Sequence, residues 1–281
     1  MFEIVPNLSE GRDPAFLEEA AAAVAPSGAA LIDRSLDAAH HRSVLTLVGN
    51  GGQVVAAAVA LAGLAAERID LRVHRGLHPR IGALDVLPFV PLEGETLEEA
   101  AGLAHRAGAE IWERYRIPSF YYGAAARDER RRQLPAVRRG GFEGLEERFA
   151  DPLWAPDVGN IARHESAGAI AIGARRLLIA FNVELASGDI AAAREIAHAI
   201  RERDGGLRTL RALAFPLDDD RVQISVNVTD EAATPLYRVF ELVGFLAAQR
   251  GIEAAGGELV GCISRAAVEA TAAYSLGVTS L

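Results

Sequence analysis

The 281-residue chain contains no lysine; all 29 of its basic residues are arginine. Schiff-base chemistry on a lysine is therefore excluded, and an anion must be recognised by arginine, histidine or backbone amides. A single cysteine, Cys262, excludes an internal disulfide framework and a cysteine-built zinc cluster. It stands in the apolar run from Leu259 to Ile263, a setting for a buried, inert thiol rather than a nucleophile. No apolar run is free of charge or glycine for long enough to span a bilayer, and no basic-then-apolar signal region opens the chain. The expectation is a cytoplasmic protein without a membrane partner. Excess positive charge is also lacking: the net charge of −9 argues against a broad nucleic-acid surface.

Half of the residues are hydrophobic and about a quarter are charged, enough for two modest cores. Phe2 to Leu8 reads as a strand, and Asp13-Pro14 opens a helix to about Val24, with aspartate as N-cap and proline at the first helical position. Ala29 to Leu36 and Ser43 to Gly49 read as strands, Gly52 to Arg68 as a helix, and Asp70 to Val73 as the start of another strand. Thr96 and Glu99 form a capping box that opens a helix to about Arg114. Pro118 to Gly123 reads as a short aromatic strand, and Asp128 to Arg139 as a basic helical segment interrupted near Pro135. The pattern then restarts with strand-like residues from Ala169 to Leu185, broken by Gly173 to Arg176, a helix capped by Asp189 through Arg203, strands at Leu210 to Leu217 and Arg221 to Thr229, a helix from Thr234-Pro235 to Arg250, and a strand at Glu258 to Ile263. Each half thus reads βαββαβ, an α+β fold of two ferredoxin-like subdomains with a ligand cleft between them. The boundary is set at 177/178, and the halves share little sequence.

Arg72 to Pro91 concentrates histidine, arginine, aspartate and proline in a segment that Gly76, Pro79 and Gly82 keep from being a helix. His74 and His78 have the spacing of a helical metal pair, but four residues of extended chain separate them by about 13 Å. With no HExxH glutamate, and only His40-His41 besides, no metal site is expected. Acid–base work by His78 fits better: Pro79 fixes the local backbone, Arg80 disfavours a second positive charge nearby, and Asp85 or Asp37 can orient the ring. Hydrogen-bonded structural histidines are the competing reading of the same spacing. Asp37, His40, His41, Arg42 and Ser43 form a second polar cluster, which a solvated turn would equally explain. Arg42, Arg72, Arg75, Arg80 and Arg175 stand at strand ends or in glycine-rich turns, where a guanidinium can fork onto a carboxylate. Arg130 to Arg132 reads as a solvated helix face. The stretch from Asp157 through Gly159, Asn160 and His164 to Gly168 is a loop that offers backbone amides.

These residues also carry a resemblance. VPNLSEGR at Val5 to Arg12, DxxHxRSV at Asp37 to Val44, HRGLHPRIGALDVLPFVP at His74 to Pro91 and RRRQLPAVRRGGFEGL at Arg130 to Leu145 are four of its motifs. WAPDVG at Trp154 to Gly159, GARRLLIAFNVEL at Gly173 to Leu185, VQISVNVTD at Val222 to Asp230 and ELVG at Glu258 to Gly261 complete the series. With them the chain resembles the glutamate formimidoyltransferase family along nearly its whole length. The resemblance implies transfer of a formimino group from N-formimino-L-glutamate to N5 of tetrahydrofolate, a co-substrate, by a homodimeric enzyme of histidine degradation. It places the catalytic histidine on His78 and the folate loop on Gly159 to Gly168, with Gly159, Asn160, His164 and Gly168 as candidate contacts. Asp37 is the candidate partner of His78, and Arg42, Arg80, Arg175 and His40 are candidates for the substrate carboxylates. The chain departs from the family at His41, where asparagine is common, in the middle of the 159–168 loop, and at Gly257, where serine is usual. It ends at Leu281 without a cyclodeaminase-like segment. Formyl transfer involving 5-formyltetrahydrofolate and a non-catalytic folate binder remain as alternatives.

Overall fold

The computed structural model describes residues 1–281 except Ala39, Leu77, His78, Glu93, Ile161, Asp218, Asp219 and 279–281. The chain forms two compact units, Met1–Arg175 and Arg176–Leu281. Both mix helices with a sheet, giving the α+β class read from the sequence.

In the first unit, strands β1 (Phe2–Ile4) and β2 (Asn7–Leu8) lead to helix α1 (Pro14–Val24). The Asp13 carboxylate accepts from Ala15 N–H and so satisfies one donor of the first turn. Phe16, Ala20 and Val24, one face of α1, are buried. Strands β3 (Ala30–Asp37) and β4 (Arg42–Gly49) precede α2 (Gly51–Arg68), which the reciprocal Asn50–Gln53 capping box starts. Next come β5 (Leu84–Pro91) and α3 (Leu97–Tyr115), opened by the Thr96–Glu99 box. They are followed by β6 (Ser119–Gly123), two short helices, α4 (Leu134–Val137) and α5 (Leu145–Ala150), and β7 (Ile170–Ala174).

The sheet runs β3, β4, the β1/β2 pair, β5, β7, β6, with β5, β7 and β6 mutually parallel. Strand β5 is buried along almost its whole length, although Pro88 lies inside it. On one side, Pro88 faces the gap between Ile4, which pairs with Phe89, and Asn7, which pairs with Val86. A proline cannot donate to a ladder, so two prolines, Pro6 and Pro88, are accommodated by splitting the first strand in two. The single strand expected over Phe2 to Leu8 therefore appears as β1 and β2.

Asp70 to Val73, expected to begin a strand, is a turn. The Asp70 carboxylate accepts from Arg72 N–H at 2.9 Å, and its carbonyl accepts from His74 N–H at 3.1 Å. Such an aspartate turn redirects the chain before it can pair. The strand of that position is β5.

The second unit consists of β8 (Ile179–Leu185), α6 (Ile190–Ile200), β9 (Leu210–Pro216), β10 (Val222–Val228), α7 (Leu236–Ala248), β11 (Ala254–Val260) and α8 (Arg265–Leu276). Its sheet is antiparallel, in the order β11, β8, β10, β9. In β10 every second residue, Val222 to Val228, is buried against Ile196, Ile200, Val239 and Val243. The βαββαβ order read from the sequence is present, and the four strands lie in the spatial order fourth, first, third, second. The corresponding strands of the first unit follow the same order, with β7 and β6 added beside β5. Strand β11 begins four residues earlier than expected, across a bulge at Ala254 to Gly256. Helix α8, capped by Ser264, was not expected: it buries only Ala267 and Ala273 and so shows no apolar periodicity. Cys262 is half-buried rather than enclosed. No helix among the described residues is long and apolar enough to cross a membrane.

The loop before β7 is stitched to the segment before β5. Ala83 N–H donates to Ala167 O at 2.9 Å, Ala169 N–H donates to Ile81 O at 3.0 Å, and Gly168 bridges Gly82. Gly168 has φ +72°, and a Cβ there would meet Ile81 O at 2.1 Å. Gly168→Ala combines a left-handed backbone with that clash and is expected to cost at least about 1–2 kcal/mol. The check is a urea melt; an unchanged midpoint would show that the stitch does not constrain the fold.

Candidate active site

Asp85, the second residue of β5, is fully buried. A buried carboxylate is tolerated only if its acceptors are filled, and here they are. Oδ1 accepts from Ile81 N–H at 2.7 Å, and Oδ2 lies 2.9 Å from Arg42 Nη2 and 2.8 Å from Arg138 Nη2. Arg42 opens β4 and also donates from Nε to Asn7 Oδ1 at 3.0 Å, so β2, β4 and β5 are tied at one end. Burial presses the Arg42 pKa below the ordinary guanidinium value, Asp85 opposes this, and the like charge of Arg138 adds to it. Two guanidinium groups thus converge on one carboxylate at this end of the sheet.

Arg138 also donates to the carbonyl of Pro79. Phe142 N–H donates to Arg80 O at 2.8 Å. Beside these contacts lies a histidine pair. The rings of His41 and His74 stack at 4.3 Å. His41 Nδ1 accepts from Gly11 N–H at 3.0 Å, and His74 Nδ1 accepts from Arg80 Nε–H at 3.0 Å. A ring nitrogen that accepts from an N–H carries no proton, so these bonds fit two neutral imidazoles. Burial is the main cause that holds both below the ordinary histidine pKa. His41 adopts φ +52°, and Gly11 allows the tight approach, since a Cβ there would sit 2.1 Å from Arg42 N. His74 is thus one of the structural histidines that the spacing allowed.

Arg80 forks onto Glu143 at 2.9 and 3.1 Å, and this hydrogen bonding chiefly holds the Glu143 carboxyl below its usual range. Asp37, at the end of β3, accepts from His40 N–H at 2.9 Å and lies 2.6 Å from His40 Nδ1. Of the sequence-identified residues, Arg42, His74, Arg80 and Asp85 meet in this network, while the side chains of Asp37 and His40 pair with each other where Asp37 stands opposite Arg42 in the β3–β4 ladder. Arg175 follows β7 and donates its N–H to Phe89 O at 3.1 Å. Its charge and that of Arg138 reach the Tyr122 phenol, which burial nevertheless pushes up to about 12. His78 lies outside the described residues.

In the loop from Gly159 to Gly168, His164 Nδ1 accepts from Ala167 N–H at 3.1 Å, and burial lowers its pKa. Asn160 is exposed, and Gly159 (φ +105°) backs onto Trp112. Arg131, expected on a solvated face, is buried and pairs with Asp157 at 2.7 Å; its neighbours Arg130 and Arg132 are exposed. Arg138, Glu143 and Tyr122 had no role assigned from sequence; the crowding of arginine and glycine over Arg138 to Gly144 is a signal that went unread. Among the described residues no group of three or more His, Cys, Asp or Glu side chains is placed to hold a metal ion.

An α+β fold with an arginine-rich site built around one buried carboxylate suits an enzyme that handles anionic substrates. The chain belongs to the formiminotransferase family: the N-terminal subdomain of the formiminotransferase domain matches residues 1–175, and the formiminotransferase domain matches residues 180–280. It is 39% identical over 278 residues to a glutamate formimidoyltransferase of Streptococcus pyogenes, covering 98% of this chain and 93% of that one. Identity to the glutamate formimidoyltransferase of Thermoplasma acidophilum is 41% over 280 residues, covering 98% and 92%. The formimidoyltransferase-cyclodeaminase of Gallus gallus is 36% identical over 280 residues, which cover 95% of this chain and 51% of the relative. The protein is a transferase of formimidoyl groups.

The histidines generate a pH prediction. For His41, His74 and His164 the folded pKa lies below the unfolded value of about 6.5, so the unfolded chain binds more protons in between and stability rises with pH there. Their contribution is complete above about pH 6.5 and is lost as the pH falls from there through the folded pKa values. Carboxylates with lowered pKa, such as Glu143, lose theirs only below about pH 4.5. Urea midpoints are expected to fall between pH 7.5 and 5.5, with the imidazole resonances of His41 and His74 titrating below 6.5 by NMR. A flat midpoint with ordinary titrations would contradict the neutral pair.

Proposed function

We propose that the enzyme transfers the formimino group of N-formimino-L-glutamate to N5 of tetrahydrofolate, with His78 as the acid–base group. The observation that carries this reading is the cationic network of Arg42, Arg138 and Asp85, which binds the backbone just after His78. Both substrates are anionic, through glutamate carboxylates and the folate tail, and a local positive site inside an acidic protein favours them.

N5 attacks the formimino carbon and gives a tetrahedral adduct with nitrogen on three sides. The N5 proton must leave and the glutamate nitrogen must gain one before the carbon–nitrogen bond to glutamate breaks. His78 takes the first proton and delivers it to the second, leaving L-glutamate and 5-formiminotetrahydrofolate. Asp37 is the carboxylate proposed to assist, and its bond to His40 makes that pair, rather than Asp37 alone, the unit that would approach the substrate. Arg80 and Arg175 are the proposed carboxylate ligands; Arg80 would exchange Glu143, an exposed side-chain carboxylate, for that of the substrate. Arg42 acts through Asp85. The loop from Gly159 to Gly168, with Asn160 and His164, is proposed to hold the pterin.

The shared strand order supports reading both units as ferredoxin-like, with the boundary close to residue 177. The family resemblance supports a homodimer working in the cytoplasm in histidine degradation.

A steady-state assay with N-formimino-L-glutamate and tetrahydrofolate tests the reading, with 5-formyltetrahydrofolate plus glutamate as the comparison. Turnover with the formimino donor is expected, and His78→Ala should lower kcat at least about 10²-fold while folate binding persists. An unchanged kcat would remove His78 from the mechanism, and turnover confined to the formyl pair would replace the proposed donor.

A further inference from the structure

We propose that Arg138 is a positioning residue of the transfer reaction, holding the backbone that follows His78; this rests on the acid–base role proposed for His78. The three residues after His78 are each held by a group from elsewhere in the chain. Pro79 O accepts from the Arg138 guanidinium, Arg80 O from Phe142 N–H at 2.8 Å, and Ile81 N–H donates to Asp85 at 2.7 Å. Two of these anchors are one device, since Asp85 also binds Arg138 at 2.8 Å. Proline has a fixed φ, so holding its carbonyl leaves little freedom to the peptide unit that follows it.

Arg138 is itself firmly mounted. Its backbone N–H closes α4 on Leu134 O at 3.0 Å. The carbonyls of Ala136, Val137 and Arg139 around it accept from Arg148, whose guanidinium lies 3.7 Å from the centroid of Trp154. Burial lowers the pKa of Arg148 to about 10, which leaves it charged at neutral pH. The Arg138 side chain is only 14% exposed. A planar guanidinium can serve a carboxylate and a carbonyl together in a set geometry, whereas an ammonium offers a point charge on a flexible stem. The sequence alone reserves no role for Arg138; the convergence of a buried carboxylate and the Pro79 carbonyl on one side chain does.

The test uses the full chain with Arg138→Lys and Arg138→Gln, each also combined with His78→Ala. Lysine keeps a positive charge for Asp85, so Arg138→Lys is expected to keep its urea midpoint and both KM values within about twofold. Its kcat should fall about tenfold to 10²-fold, the scale of a small misplacement of a catalytic group. Arg138→Gln should lose at least as much. In the His78→Ala background, single-turnover rates should change less than about twofold on adding Arg138→Lys, because the residue it positions is gone. A wild-type kcat in folded Arg138→Lys would overturn the proposal, as would an equal loss with and without His78. A His78→Ala enzyme at full turnover would instead overturn the acid–base reading, a separate result.

Discussion

Asp85 sits in the central strand of the first unit with no solvent access, and its charge is stable there only because Arg42, Arg138 and Ile81 N–H surround it. Removing one partner of such a buried ionic group leaves an uncompensated charge, at a cost of about 3–5 kcal/mol. Each partner brings a different part of the chain: Arg42 the start of β4, Arg138 the end of α4, and Ile81 the segment that leads back to His78. The carboxylate thus fixes the geometry of the site by the same contacts that satisfy its own desolvation. It also gathers two guanidinium groups at one place in an acidic protein.

The neutral histidine stack lies beside this arrangement. Burial removes the water that would stabilise imidazolium, and at His74 the neighbouring Arg80 charge adds to this. His74 becomes an acceptor that orients Arg80, while Glu143 holds the other face of the same guanidinium. In the role proposed for it, Arg80 would be aimed before substrate arrives, since exchanging one carboxylate for another costs less than ordering a free side chain.

The helix starts at Asp13, Thr96 and Asp189 were legible because capping is a local interaction whose partners lie within a few residues. Strand alternation in β10 was legible for the same reason. Asp70 misled, because its side chain competes with strand pairing through a turn that apolar content does not reveal. Helix α8 was hidden by an alanine-rich surface with little to bury, and Gly256-Gly257 masked the start of β11 as a breaker. In the site, the composition of Arg72 to Pro91 singled out His74, Arg80 and Asp85, which the structure joins in one network. The union of Asp85 with Arg42 was not legible, since those residues lie 43 positions apart and meet only through sheet pairing. Arg131 was misread as solvated for the same reason: its partner Asp157 reaches it only in three dimensions.

The most direct measurement is the rate of formimino transfer in Asp85→Asn, with its unfolding free energy measured in parallel. The amide keeps the shape and an acceptor but removes the charge that holds both arginines. The account predicts a loss of several kcal/mol, about 3–5, and a transfer rate well below wild type even where the protein is fully folded. An enzyme of wild-type stability and rate would contradict the central place given to this carboxylate.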